Sequence, residues 1–168
     1  MRLLTYFLPF FLTASVFGSY FDHPPVDWQC IDDPAQLPKT VHVLYVGHGT
    51  TRFAPTIHLS SEPLASSLED YIQTAKNYHQ RSPDALCQDL GRIETCSGIG
   101  RVIKIDSPSV YGEVSLLQAY ILCQQRAYVV TGTSLKEDFG SFSEEFYRTV
   151  QSFHLKNCVQ TKSFKERQ

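Results

Sequence analysis

The sequence predicts an α+β fold in which an antiparallel β-sheet is flanked by helices, as an α/β/α sandwich. Two observations lead to this prediction. β-Rich segments occur in pairs joined by short turns, and two amphipathic segments with helical spacing interrupt and close the series. In addition, the segment 112–123 is apolar on both of its faces, which is typical of a strand covered on both sides.

Seven segments have the composition and alternation of strands. In chain order, the predicted strands are 28–31, 41–46, 53–60, 89–96, 100–106, 112–123 and 127–134. Gln118 lies inside the apolar run of the sixth strand. Because a buried amide is costly without hydrogen bonds, we expect Gln118 to have a partner in the folded protein.

Two helices are predicted from apolar residues at helical spacing. The first follows a capping-box pair, Ser66 and Glu69, and its apolar positions are Leu68, Tyr71, Ile72, Ala75 and Tyr78. The second covers about 138–153, and its stripe consists of Phe139, Phe142, Phe146, Val150 and Phe153. An aromatic stripe of this kind is typical of core packing.

The first 18 residues have the layout of a secretory signal peptide. A basic start at Arg2 precedes an uncharged apolar run, and Val16 and Gly18 occupy the −3 and −1 positions of a cleavage site before Ser19. The run is shorter than the roughly 20 residues that a membrane-spanning helix needs. We therefore expect export, with an uncleaved anchor as the alternative.

Beyond this leader, we expect an extended lead-in at 19–27, a single domain at 28–155 and a basic, flexible tail at 156–168. A hydrophobic content of 42% and a charged content of 19% are typical of a globular protein. The formal charge is −2, and it becomes −3 when Arg2 leaves with the leader. This balance argues against nucleic-acid binding, which requires a basic surface.

All five cysteines follow the leader, at Cys30, Cys87, Cys96, Cys123 and Cys158. An odd number leaves at least one thiol outside any intramolecular disulfide. Because Cys87 and Cys96 flank a short segment, we predict a disulfide between them, with no disulfide at all as the alternative. Cys123 lies in an apolar strand, where a buried, unreactive thiol is the expected state.

Four segments resemble the PsbP/DcrB-like superfamily when they are taken in order. They are 53–59 (FAPTIHL), 68–71, 127–132 (AYVVTG) and 139–153. Members of this superfamily include PsbP, DcrB, LpqN-type lipoproteins and the Ran-release factor. The resemblance covers about 28–155 and implies an antiparallel sheet between helices. It also implies a non-enzymatic binding or assembly role, although this chain lacks the lipidation cysteine of DcrB and LpqN.

A pair of histidines suggests a metal site. If the strands 41–46 and 53–60 form a hairpin centred near Thr50, His42 lies opposite His58 with the two Cβ atoms about 5 Å apart. Two imidazoles at that separation can share a transition-metal ion. The sequence offers no third ligand, so a half-exposed pair on a sheet is the alternative.

These observations favour an exported, periplasmic or secreted, non-enzymatic module that binds or assembles an envelope or secreted protein partner. We expect no cofactor, no catalytic residues, no nucleic-acid partner and no stable membrane span after the leader is removed. One alternative is a metal-binding envelope protein that uses His42 and His58. Another is a hydrolase whose nucleophile and His meet only in the folded protein, since no G-x-S-x-G motif is present.

Overall fold

A computed structural model describes residues 20–49, 53–156 and 158. Within these residues, seven strands form one antiparallel sheet in the order β1-β2-β3-β7-β6-β5-β4. The elements are β1 (Gln29–Ile31), β2 (Val41–Val46), β3 (Thr56–Pro63), α1 (Leu68–His79), β4 (Leu86–Thr95), β5 (Gly98–Ser109), β6 (Gly112–Cys123), β7 (Arg126–Leu135) and α2 (Phe139–Gln151). This architecture confirms the predicted α+β class.

The two helices cover opposite faces of the sheet. On one face, α2 packs Phe146 and Val150 against a cluster that includes Leu117 and Ile121 of β6. On the other face, α1 packs Ile72 against a second cluster. That second cluster also contains Ile103, Ile105, Tyr120 and Val129. Strand β6 therefore supplies residues to both cores, as its two apolar faces predict, and the sandwich has three layers.

Helix α1 begins one residue later than predicted. Ser67 is its N-cap, and the Ser67 hydroxyl accepts a hydrogen bond of 3.1 Å from the backbone N–H of Asp70. A serine caps the helix as predicted, but Ser67 and Asp70 occupy the positions that we assigned to Ser66 and Glu69.

The segment that precedes β1 packs with the end of α2 rather than lying free. Phe21 is only 1% exposed and forms an isolated β-bridge with Phe153. The His154 N–H donates to the carbonyl of Tyr20 at 2.9 Å, next to this bridge. Trp28 packs edge-on against Phe146. The chain thus begins to contribute to the α2-side core before its first strand.

Several expectations fall on residues outside the described ranges. These are the signal peptide at 1–18, the hairpin centre at Thr50 and, apart from Lys156 and Cys158, the basic tail at 156–168. Within the described ranges, no helix combines the length and the hydropathy that a membrane crossing needs.

The predicted Cys87–Cys96 disulfide is wrong, and both thiols are free. Strand β4 runs from Leu86 to Thr95, and Cys96 follows directly. Cys87 and Cys96 are therefore nine residues apart along an extended chain, a distance of about 30 Å. The structure instead joins Cys123 to Cys158 with a Cα–Cα distance of 6.0 Å. Cys123 is therefore a disulfide partner and not the buried free thiol that we expected.

We predict that Gly132→Ala destabilises the protein by about 1–3 kcal/mol, because overpacking of a filled core costs energy of this size. A Cβ atom at Gly132 would lie 2.5 Å from the ring of Phe146, which is itself buried against β7. Urea denaturation measures the change. The matched control is Gly140→Ala in α2, where the new Cβ meets nothing within 4 Å. Equal effects of the two substitutions would contradict the close approach of α2 to β7.

We also predict that Cys158→Ala lowers the free energy of unfolding of the oxidised protein by about 3–4 kcal/mol, since the disulfide closes a long loop in the unfolded chain. The sequence separation of the bonded cysteines is 35 residues. Cys30→Ala removes an exposed free thiol and is the control. If both variants unfold at the same urea concentration as the parent, the disulfide assignment is incorrect.

Candidate functional site

A groove lies beside α1 on the face of the sheet that this helix covers. Helix α1 packs on β4 and β6, so the part of the face formed by β3 is left open. The resulting groove has a volume of about 350 Å³ and contains the imidazole of His58, and we call it the His58 groove. Its main polar and aromatic lining residues are His58, Glu62, Tyr71, Tyr78, His79 and Gln118.

The floor of the His58 groove is a row of polar side chains on three adjacent strands. His58 of β3 pairs with Thr131 of β7, and Thr131 pairs with Gln118 of β6. Directly paired residues of an antiparallel sheet carry their side chains on the same face, with Cβ atoms about 5 Å apart. A continuous polar strip therefore interrupts a face that is otherwise apolar towards β5.

Gln118 is held by hydrogen bonds from its neighbours. Its Nε2 atom donates to Thr131 Oγ1 at 3.4 Å, and the Tyr120 hydroxyl donates to Gln118 Oε1 at 2.5 Å. The His79 side chain, at the end of α1, also hydrogen-bonds Gln118. These contacts confirm that Gln118 has partners in the folded protein, and they fix the orientation of its amide.

The two imidazoles of the groove have different surroundings. Burial lowers the pKa of His58 below its ordinary value of 6.5, and no other described residue forms a hydrogen bond with its ring. Burial also lowers the pKa of His79, although the hydrogen bond with Gln118 opposes that shift. The neutral form of both rings consequently predominates at pH 7, and no described residue uses the hydrogen-bonding capacity of His58.

The other end of the groove carries a carboxylate beside aromatic rings. The Tyr71 hydroxyl donates a hydrogen bond to Glu62 Oε1, and burial followed by this bond raises the pKa of Tyr71. The ring of Tyr71 meets that of Tyr120 edge-on, with centroids 5.8 Å apart. None of the described cations forms an ion pair with Glu62.

The predicted pairing of His42 with His58 is wrong. In the observed register, Leu44 lies opposite His58, and a β-bulge between Val41 and Val43 contains His42. The bulge turns His42 to the α2 side of the sheet, where its ring contacts Tyr20. His58 faces the α1 side, so the two imidazoles cannot share one metal ion. Within the described ranges, no group of three or more potential ligands is arranged to hold a metal.

His42 instead belongs to a small polar cluster. Its Nε2 atom lies 2.7 Å from the hydroxyl of Ser61, and Arg126 donates to the same hydroxyl at 3.0 Å. Burial, and then the charge of Arg126, lower the pKa of His42. This is the kind of Ser–His contact that a hydrolase requires, but Ser61 is only 5% exposed. The arrangement links β2, β3 and β7 and gives a substrate little access to the hydroxyl.

The sequence interpretation missed His79, Glu62 and the role of Tyr71. Tyr71 was assigned to the apolar face of α1, and that face does point to the sheet. Two features of the sequence point to these residues. The helix face that carries Tyr71 ends in His79, and every second residue of β3, namely His58, Ser60 and Glu62, is polar. Only the strand register shows that these residues surround one space.

Comparisons with known proteins find similarity in fold alone. Neither a family model nor a curated protein matches the chain. The solution structure of cyanobacterial PsbP (CyanoP) from Synechocystis sp. PCC 6803 matches with a TM-score of 0.53 and 11% identity, over 78% of this chain and 83% of that one. The crystal structure of PA94 from Pseudomonas aeruginosa, a protein of unknown function, matches with a TM-score of 0.56 and 10% identity, over 77% and 84%.

A third solved structure is that of LpqN from Mycobacterium tuberculosis, which is involved in cell envelope biogenesis. It matches with a TM-score of 0.55 and 13% identity, over 80% of this chain and 84% of that one. These three similarities confirm the PsbP/DcrB-like fold that the four sequence segments suggested.

We predict that His58→Gln makes the stability of the protein less dependent on pH between 7 and 5. Burial keeps the pKa of folded His58 below 6.5, so the unfolded chain takes up a proton first as the pH falls, and the free energy of unfolding decreases. Urea denaturation at several pH values measures the slope. His48→Gln, at an exposed position, is the control. Identical slopes for His58→Gln and the parent would contradict the burial of this imidazole.

Proposed function

We propose that the chain is an exported binding or assembly module that holds an envelope or secreted protein partner in the His58 groove. In this proposal the module catalyses no reaction and needs no resident cofactor. One observation carries it: the groove has a fixed polar floor, yet among the described residues its His58 imidazole has no hydrogen-bond partner and its Glu62 carboxylate has no ion-pair partner.

A polar group that is withdrawn from water without a new hydrogen-bond partner costs free energy. A partly buried imidazole without a hydrogen bond loses part of its interaction with water and gains nothing in return. A ligand that supplies the missing hydrogen bond recovers this energy. Because Gln118 and Thr131 are already oriented, little side-chain entropy is lost when such a ligand binds.

The wider context supports a role in the cell envelope. The first 18 residues have the pattern of an export leader. LpqN, which has the same fold, is involved in cell envelope biogenesis. The hydrolase alternative has less support, because the Ser61 hydroxyl that lies beside His42 is almost entirely enclosed.

We predict that a photo-crosslinking amino acid at Tyr78 captures the partner in cells that produce the protein, whereas the same amino acid at Tyr111 does not. Tyr78 lines the groove and is 65% exposed. Tyr111 is similarly exposed, at 55%, but lies in the β5–β6 turn away from the groove. The measurement is the appearance of a discrete higher-mass adduct of this chain on irradiation.

A blocking variant provides the second control. Ser60 lines the groove, so Ser60→Trp fills it, and the adduct formed from position 78 should then disappear while the thermal unfolding temperature changes little. Equal adducts from positions 78 and 111, or an adduct that persists in Ser60→Trp, would exclude the groove as the binding site. Repeated failure to form any adduct would count against the binding role itself.

A further inference from the structure

The described residues of the protein place no cation against the carboxylate of the His58 groove. Among the described residues that line it, Glu62 is the only carboxylate. Three described cations of α1, β5 and β7 have other partners. Lys76 and Arg101 both bind Asp89 at 2.7 Å, and Arg126 donates to Ser61. At pH 7 the two imidazoles of the groove are neutral, since burial lowers the pKa of each. The end of the groove at Glu62 is therefore negative.

The aromatic rings of the groove suit a cation. Tyr71 and Tyr78 are seven residues apart on α1, which places them on the same side of the helix two turns apart. Tyr120 adds a third ring from the floor. The faces of such rings attract ammonium and guanidinium groups. This chain itself provides an example, because the guanidinium of Arg81 lies 5.8 Å from the centre of the Tyr78 ring.

Arg81 contacts Tyr78 near one end of the groove, and Glu62 lies at the other end. Arg81 and His79 lie at the end of α1, whereas Glu62 contacts Tyr71 near the beginning of the helix. The distance between Tyr71 and Tyr78 along the helix is about 10 Å. Arg81 is therefore too far along the groove to be the partner of Glu62, and none of the described cations occupies the Glu62 end.

We propose that the Glu62 end of the His58 groove receives an arginine side chain of a protein partner, with its guanidinium paired to the Glu62 carboxylate and stacked on Tyr71. This inference rests on the proposed function and specifies its ligand. Tyr71 occupies one acceptor position of the carboxylate, and the remaining positions can accept guanidinium N–H groups. Arginine fits better than lysine, because its planar group pairs with a carboxylate and stacks on a ring at the same time.

The test uses small probes in place of the unidentified partner. N-acetyl-arginine amide is titrated into the purified protein, and the NMR signals of His58, Tyr71 and Gln118 are followed. N-acetyl-citrulline amide has nearly the same shape without the charge, and N-acetyl-lysine amide has the charge without the planar group. We expect the arginine probe to shift the groove signals at concentrations below about 50 mM and to bind more tightly than either of the other probes.

Two matched substitutions separate the pairing from general electrostatics. Glu62→Gln keeps the shape of the groove and should weaken binding of the arginine probe by about fivefold, the size expected for an exposed ion pair. Glu94→Gln removes an exposed carboxylate of β4 and should change the affinity less than twofold by the same reasoning. Raising the salt concentration should weaken the binding to the parent protein, because exposed charges are screened.

Three results would overturn the inference: no shift of the groove signals by the arginine probe, equal binding of arginine and citrulline, or equal effects of the two glutamine substitutions. These results can be distinguished from a failure of the proposed function. If position 78 still captures a partner while the arginine probe fails, only the chemistry assigned to the ligand is wrong. If position 78 captures nothing and the probe binds as expected, the groove binds arginine but the assigned protein partner is wrong.

Discussion

The structure depends on the fact that strand β6 is apolar on both faces. Leu117 and Ile121 belong to one core and Tyr120 to the other, so the sheet is stable only when each face is covered. Helix α1 has 12 residues and is about 18 Å long and about 10 Å wide, whereas a sheet of seven strands is about 29 Å wide. One short helix cannot cover such a face. The His58 groove exists because α1 covers the sheet as far as β6 but does not reach β3.

Where the coverage ends, the sheet changes from apolar to polar. Moving along one row from β5 to β3, the residues are Ile103, Gln118, Thr131 and His58. The first is fully buried in the core beneath α1, and the last has no hydrogen-bonding partner among the described residues. A polar group in such a position costs stability unless something binds it. The recognition role that we propose for the groove depends on this gradient and not on any single residue.

The sequence predicted those features that depend on local pattern. Residue periodicity alone predicts that β6 is apolar on both faces and that α1 has an apolar face. It also places Gln118 in a buried run, where its amide needs a partner. The sequence could not predict the features that depend on the register between strands and on the length of each strand. One β-bulge separates His42 from His58, and three additional residues at the start of β4 extend the strand that separates Cys87 from Cys96. The His58 groove combines side chains from α1, β3, β6 and β7. Residue spacing in a single sequence does not show that these four elements meet.

Strand β3 shows how the two faces differ in their roles. Its residues Ile57 and Leu59 are fully buried on the α2 side, while His58 lines the groove on the α1 side. The α2 side is also where the segment around Phe21 packs. The Cys123–Cys158 disulfide ties the end of the described chain to β6. Because that side is closed by large aromatic residues and a covalent link, a conformational change there would be costly. On the α1 side the groove is open, and the Cys123–Cys158 disulfide lies on the opposite face, so the ligand that we propose would bind without disturbing the main core.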